Sequence, residues 1–215
     1  VAPRDGEAGG TWIGYNGAGL FVGLANRWTD VDLAAERSRG LLVTDALAEG
    51  GAEAAARTVE RALDEDEYAG FNLVVADADA AILFEWDGRL RVSNFEPGVH
   101  VVLNAGYDDR FVPPASRLEA GERQADSARR VRAALAPEPG ESAEEWLDRA
   151  VGVLSDHDYG VCVHGRVPDS DDRRGAEYGT RSSSLIVLYA DGTATYRFAD
   201  GPPCRTAYEP VEAQI

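Results

Sequence analysis

Three polar side chains stand where apolar runs end. Asn26 follows Leu20–Ala25, Asn104 follows Val99–Leu103, and Arg181 precedes Ser184–Tyr189. A polar group at the tip of a core strand sits on a rigid support, a common way to hold a binding or catalytic group. The alternative is local: each residue closes a strand end or satisfies nearby backbone. If the last strand runs antiparallel to the other two, all three groups meet at one sheet edge. Thr180 and Ser182 flank Arg181 and offer hydroxyls, which more often serve backbone than ligand. Trp12, Trp28, Trp86 and Trp146 read as core or pocket wall, and Trp28 is the one beside Asn26.

A second set is His157, Cys162 and His164. Cys162 and His164 are two apart, so a strand would present both on one face. Zinc wants a fourth ligand and usually tighter paired spacing. His100 and Cys204 complete the set without any spacing logic. Buried, hydrogen-bonded side chains are therefore the expected reading, with no metal and no cofactor. A Ser-His-Asp triad lacks Gly-x-Ser-x-Gly support. The glycines of Gly14–Gly19 bridge two strands and do not open a helix, which argues against a phosphate loop.

These groups need strands and helices to hold them. Thr11–Tyr15 and Leu20–Ala25 flank Asn16-Gly17-Ala18-Gly19 and predict a hairpin. Ser38 reads as an N-cap for a helix over Gly40–Leu47, and Ala52–Leu63 is an amphipathic helix. Gly70–Ala76, Ala80–Trp86, Leu90–Phe95 and Val99–Leu103 read as a meander in a single antiparallel sheet. Asp108–Leu118 reads as a loop. Helices follow over Glu119–Leu135 and Glu144–Leu154, the second opened by Ser142. Residues Arg166–Glu177 read as a polar loop. Ser184–Tyr189 and Thr193–Phe198 form a last hairpin, and the tail from Gly201 is irregular. This order predicts an α+β fold with helices on the outer faces of antiparallel sheets, in one domain over residues 1–215.

The chain has 215 residues, 38 acidic against 21 basic, for a net charge of −17. Every basic residue is arginine. A dense carboxylate surface suits concentrated salt and repels itself in dilute buffer, so the composition predicts a halophilic, cytoplasmic protein. The charge argues against nucleic acid and anionic membrane surfaces as partners. No window approaches the ~18 apolar residues that a spanning helix needs, and no signal peptide is visible. Cys162 and Cys204 read as free thiols in a reducing cytosol.

The block Gly9–Arg27 resembles the NRDE family, relatives of transport and Golgi organisation protein 2, within the N-terminal nucleophile hydrolases. The resemblance continues in order through Ser38-Arg39-Gly40, Gly70-Phe71-Asn72-Leu73, Val102-Leu103-Asn104 and Thr180-Arg181-Ser182-Ser183-Ser184. It implies a four-layer αββα sandwich. It also implies that Asn26 contributes to an oxyanion hole, that Asn104 orients the nucleophile's amine and the tetrahedral intermediate, and that Arg181 fixes the charge around a cysteine. Trp12, Trp28, Thr180 and Ser182 would line the pocket. The family opens with a cysteine just after the initiator, and an Asn-Arg-Asp-Glu tetrapeptide follows. Neither is present, and the chain holds no methionine, so about two strands and their turn are expected to precede Val1, the alternative being a natural short homologue that never had them. An α-amine titrates at roughly 7.7–8.0, which suits a base for such a thiol. Val1 has the amine without a nucleophilic side chain. The implied activity is cysteine-dependent hydrolysis of a small-molecule amide or thioester. The alternative is a non-catalytic carrier of an amphipathic ligand, haem or acyl-CoA, with His100, His157 or His164 as iron ligands.

Overall fold

The computed structural model describes residues 1–6, 9–166 and 177–212. The polar loop expected at Arg166–Glu177 lies largely outside the described residues. The chain divides into two compact units, one built on Val1–Ala125 with Leu188–Thr193, the other on Asp126–Val187 with Ala194–Ala213. It is a mixed α+β protein with several antiparallel sheets.

The first unit holds a five-stranded sheet in chain order. Its strands are β1 (Ile13–Tyr15), β2 (Phe21–Asn26), β3 (Phe71–Ala76), β4 (Ala81–Trp86) and β5 (Leu90–Asn94). Register pairs Val22 with Val75, Leu24 with Leu73, and Leu73 with Phe84. Side chains alternate across a strand, so these residues share one face. That face packs against α1 (Arg39–Leu47) and α2 (Ala52–Glu65) through Leu42, Val43, Ala55 and Val59. Phe84 is fully buried there, and truncating it to alanine would cost about 3–5 kcal/mol. The opposite face of the same strands carries Gly23, Ala25, Asn72, Val74, Leu83 and Glu85, and much of it is buried too. Burial on both faces is why Gly70–Ala76 reads as a continuous apolar run.

Local chemistry fixes the connections. The Asn16 side chain does two jobs. Its oxygen accepts from the backbone N–H of Ala18 and Leu20 at 2.9 and 3.2 Å. Its nitrogen donates to the carbonyls of Leu47 and Glu49 at 2.8 and 2.7 Å, satisfying groups that the end of α1 leaves open. Ser38 caps α1 as expected, accepting from Gly40 N–H at 3.2 Å. The cap of α2 comes from the β3–β4 turn, where Asp77 accepts from Ala52 N–H at 2.7 Å.

The meander stops one strand early. Val99–Leu103 does not extend the five-stranded sheet. Only β6 (Val102–Leu103) is strand, and it pairs with β7 (Gly106–Tyr107), which pairs with β8 (Arg110–Phe111). The reason is Asp108, whose carboxylate accepts from Val101 N–H at 3.0 Å while its own N–H donates to Val101 O at 2.9 Å. The backbone of Val101 is thereby taken by Asp108. Asp108–Leu118, read as loop, accordingly contains β8 and a 3-10 turn over Ala115–Arg117.

α3 (Leu118–Ala134) leads into the second unit. α4 (Ala143–Ser155) opens on a capping box. Ser142 Oγ accepts from Glu145 N–H at 3.3 Å, and Glu145 accepts from Ser142 N–H at 2.9 Å. Arg149 of α4 donates to the carbonyls of Ala134 and Ala136 and pairs with Glu141, closing the end of α3. The same unit contains β9 (His164–Arg166) paired with β10 (Glu177–Gly179). A further sheet follows the order β11 (Ser183–Leu188), β12 (Ala194–Ala199), β13 (Glu209–Pro210). The last strand lies in the tail read as irregular. Among the described residues no helix is long and apolar enough to cross a membrane.

Candidate functional site

Two of the expected residues meet. Asn26 ends β2, and the Asn104 carboxamide nitrogen donates to its main-chain oxygen at 2.7 Å. The Asn104 main-chain oxygen in turn accepts from Trp28 N–H at 2.9 Å. The Asn104 side-chain oxygen accepts from Gln124 at 2.9 Å. Asn104 is therefore held at both ends. The carboxamide of Asn26 is exposed and has no protein partner among the described residues.

Beneath this link lies a buried polar cluster that sequence reasoning missed. Arg27 is only 9% exposed. Its guanidinium donates to Asn72 Oδ1 at 3.0 Å, to Glu85 Oε1 at 2.8 Å and to Asp87 Oδ2 at 3.3 Å. Asn72 is fully buried and donates to Leu103 O at 2.6 Å. Asn72 and Asn104 thus tie the end of β6 to β2 and β3 by two amide-to-carbonyl bonds. Burial works to raise the Asp87 pKa, but the hydrogen bond and charge of Arg91, with Arg27 adding, hold it below the ordinary carboxylate value. A signal was present: Asn72 is an amide inside an apolar strand, and such a group must have a buried partner.

A cleft of about 430 Å³ opens beside the cluster, lined by Phe21, Leu24, Val74, Phe95 and Val102 with Asn72 and His100 among its polar groups. Its size suits a small molecule, as ligand clefts run from about 300 to 1,000 Å³. His100 stacks on Phe95 with ring centroids 4.1 Å apart. Its two ring nitrogens lie 2.8 Å from Asp108 Oδ2 and 2.7 Å from Glu96 O, so both are engaged by protein oxygens. Trp28 lies outside this lining and carries the Arg117 guanidinium over its ring at 5.1 Å. Asp30 anchors the same turn, accepting from Ser116 Oγ and from Ala115 N–H, and the Ser116 bond holds its carboxyl below the usual range. Trp12 is 43% exposed and also lies outside the lining.

Arg181, Thr180 and Ser182 belong to the second unit, in the link between β10 and β11. Arg181 is exposed, with no protein partner among the described residues, and Ser182 is half-buried. Thr180 is taken up locally. Its hydroxyl accepts from Val163 N–H at 3.0 Å and donates to Val161 O at 3.1 Å, and its N–H donates to Val163 O at 2.9 Å. In the same unit Cys204 lies beside His164, Sγ to Nε2 3.1 Å, across 40 residues of chain. Both cysteines are free thiols.

A family model described as Transport and Golgi organisation 2 matches residues 1–198. No curated protein sequence matches the chain. Among solved structures the chain is similar to that of penicillin V acylase from Agrobacterium tumefaciens, with a TM-score of 0.52 at 14% identity over 93% of this chain and 71% of that one. At that identity the likeness is one of fold.

Proposed function

This chain belongs to the Transport and Golgi organisation 2 family, and on that premise we propose that it is the scaffold of an N-terminal nucleophile hydrolase. Its attacking group is the N-terminal cysteine that the family resemblance implies, and its substrate is a small-molecule amide or thioester. The four-layer αββα sandwich is part of this reading, with both compact units in one functional domain. It is supported by a family match that runs through both units and by the fold likeness to an acylase. The free thiols of Cys162 and Cys204 suit a cytoplasmic location.

The observation that carries the reading is the bond from Asn104 to Asn26 O, with the Asn26 carboxamide left unpartnered among the described residues. In the proposed reaction the thiolate attacks the substrate carbonyl, and negative charge grows on the carbonyl oxygen. Asn26 donates an N–H to that oxygen. Asn104 holds the main chain of Asn26 and is a positioning residue. The amine or thiol leaves with a proton, and water then hydrolyses the acyl-enzyme. A donor of this kind is worth about 10²–10³ in turnover.

The test is the full-length protein, mixed with an activated amide or acyl-CoA probe and weighed intact. An acyl adduct on an N-terminal cysteine, formed about 10²–10³-fold more slowly in Asn26→Ala, is expected. Absence of any adduct and of turnover would overturn the reading. A second reading, a carrier of haem or an acyl-CoA, is favoured by the apolar wall of the cleft formed by Phe21, Leu24, Val74, Phe95 and Val102. Haem titration followed by visible absorbance, with and without His100, separates the two.

A further inference from the structure

We propose that His157, Cys162, His164 and Cys204 form a four-coordinate zinc site in the second unit. Each residue offers one ligand atom, and the four atoms all lie within 4.8 Å of one another. Two separations are already short: Cys162 Sγ to His164 Nε2 is 3.6 Å, and His164 Nε2 to Cys204 Sγ is 3.1 Å. Zinc bonds of roughly 2.0–2.3 Å in a tetrahedron set ligand atoms about 3.3–3.8 Å apart. The set therefore needs only a modest contraction to close on an ion. Two thiolates and two imidazoles make an S₂N₂ donor set, which selects zinc over oxygen-seeking magnesium or calcium. Four protein ligands leave no open position, so the site is structural. This inference stands apart from the hydrolase reading.

Each ligand is delivered by a distinct local device. α4 ends at Ser155, and Asp156 caps the 3-10 turn His157–Tyr159 by accepting from Asp158 N–H at 2.9 Å. Gly160, at φ 69°, reverses the chain there. Cys162 and His164, two residues apart, then reach the same side. His164 enters β9 opposite Gly179. Cys204 sits in a tight turn closed by Arg205 and Thr206 N–H on Pro202 O at 2.9 and 3.0 Å. The rings of His157 and His164 lie 5.2 Å apart, tilted by 55°. Cys162 is buried, and the histidines are exposed, so metal reaches the site from solvent.

The ion would join one continuous stretch, from the end of α4 to the start of β9, to the turn after β12, which lies 40 residues beyond His164. Val163, between two ligands, holds Thr180 through both of its backbone groups. The site thereby fixes the strand end that presents Arg181.

The test uses the whole chain without a polyhistidine tag, stripped by chelator and titrated with Co²⁺. Expected are one Co²⁺ per chain, the intense visible bands of tetrahedral cobalt with thiolate charge transfer, and displacement by one equivalent of Zn²⁺. Cys204→Ser should weaken cobalt binding at least about tenfold, the low end for losing even an outer-shell partner. Pale octahedral cobalt spectra, no uptake, or a Cys162–Cys204 disulfide found by thiol counting in denaturant would each overturn the proposal. If Cys204→Ser fails to fold, the wild-type cobalt spectrum alone decides.

Discussion

The carboxamide nitrogen of Asn104 donates to the main-chain oxygen of Asn26 at 2.7 Å, across 78 residues of chain. The two asparagines, alike in type, therefore have different consequences when removed. Asn104→Ala deletes bonds to Asn26 O and Gln124 and should cost about 1–3 kcal/mol in urea unfolding. Asn26→Ala removes an exposed carboxamide and should change stability by no more than about 0.5 kcal/mol. Equal losses in both variants would contradict this division.

The Arg27 cluster sets a second expectation. Arg27→Ala takes the close ion pair from Glu85, which is 8% exposed and keeps only Arg91 at 3.9 Å, and takes a donor from Asn72. Breaking a buried pair on one side costs about 3–5 kcal/mol. Denaturant melts of Arg27→Ala and of Arg27→Ala with Glu85→Gln should show the double variant recovering part of that loss. A double variant less stable than the single one would argue against an unpaired carboxylate as the cause.

Asp77 gives a pH expectation. Burial works to raise its pKa, but three backbone N–H groups, from Ala52, Asp79 and Ala80, bring it below its ordinary 3.8. A carboxylate depressed in the folded state stabilises fully above the unfolded pKa and loses that contribution as pH falls through the folded one. Asp77→Ala should cost about 1–2 kcal/mol near neutrality, as loss of a helix cap does. The difference from wild type should shrink as acid unfolding is followed below about pH 4. A gap that stays constant to the lowest pH would rule out the ionised cap.

Salt is the fourth lever. With a net charge of −17, self-repulsion should dominate in dilute buffer and fade as the Debye length falls to about 3 Å in molar salt. We propose a halophilic protein whose melting temperature climbs steeply from dilute buffer to molar KCl. A flat melting temperature would refute it.

Much of the architecture was legible because it rests on local pattern. Gly70–Ala76 reads as a strand from its apolar run, Asp87-Gly88 reads as a turn, and Ser38 and Ser142 read as caps; each is found within a residue or two. Val99–Leu103 misled because its apolar pattern is that of a strand, while its pairing is decided by one carboxylate, Asp108, further along. The tail strand Glu209–Pro210 has no pattern of its own and borrows its conformation from β12. At the site, Asn26 and Asn104 stood out as polar ends of apolar runs. Arg27 did not, because an arginine beside a strand end is ordinarily solvated, and only the register of Asn72 against Glu85 makes it a buried partner. Cys204 was unconnected to His164 for a similar reason: proximity across 40 residues leaves no trace in local spacing.

Asn16 makes the first hairpin and the first helix mechanically inseparable. Its oxygen shapes the turn and its nitrogen terminates α1, so a single side chain sets two boundaries at once. Splicing an extra residue into either segment would dislocate the other. A carboxylate at this position would confront the Leu47 and Glu49 carbonyls with like charge. Redesign of the loop and of the helix end must therefore be attempted as one operation.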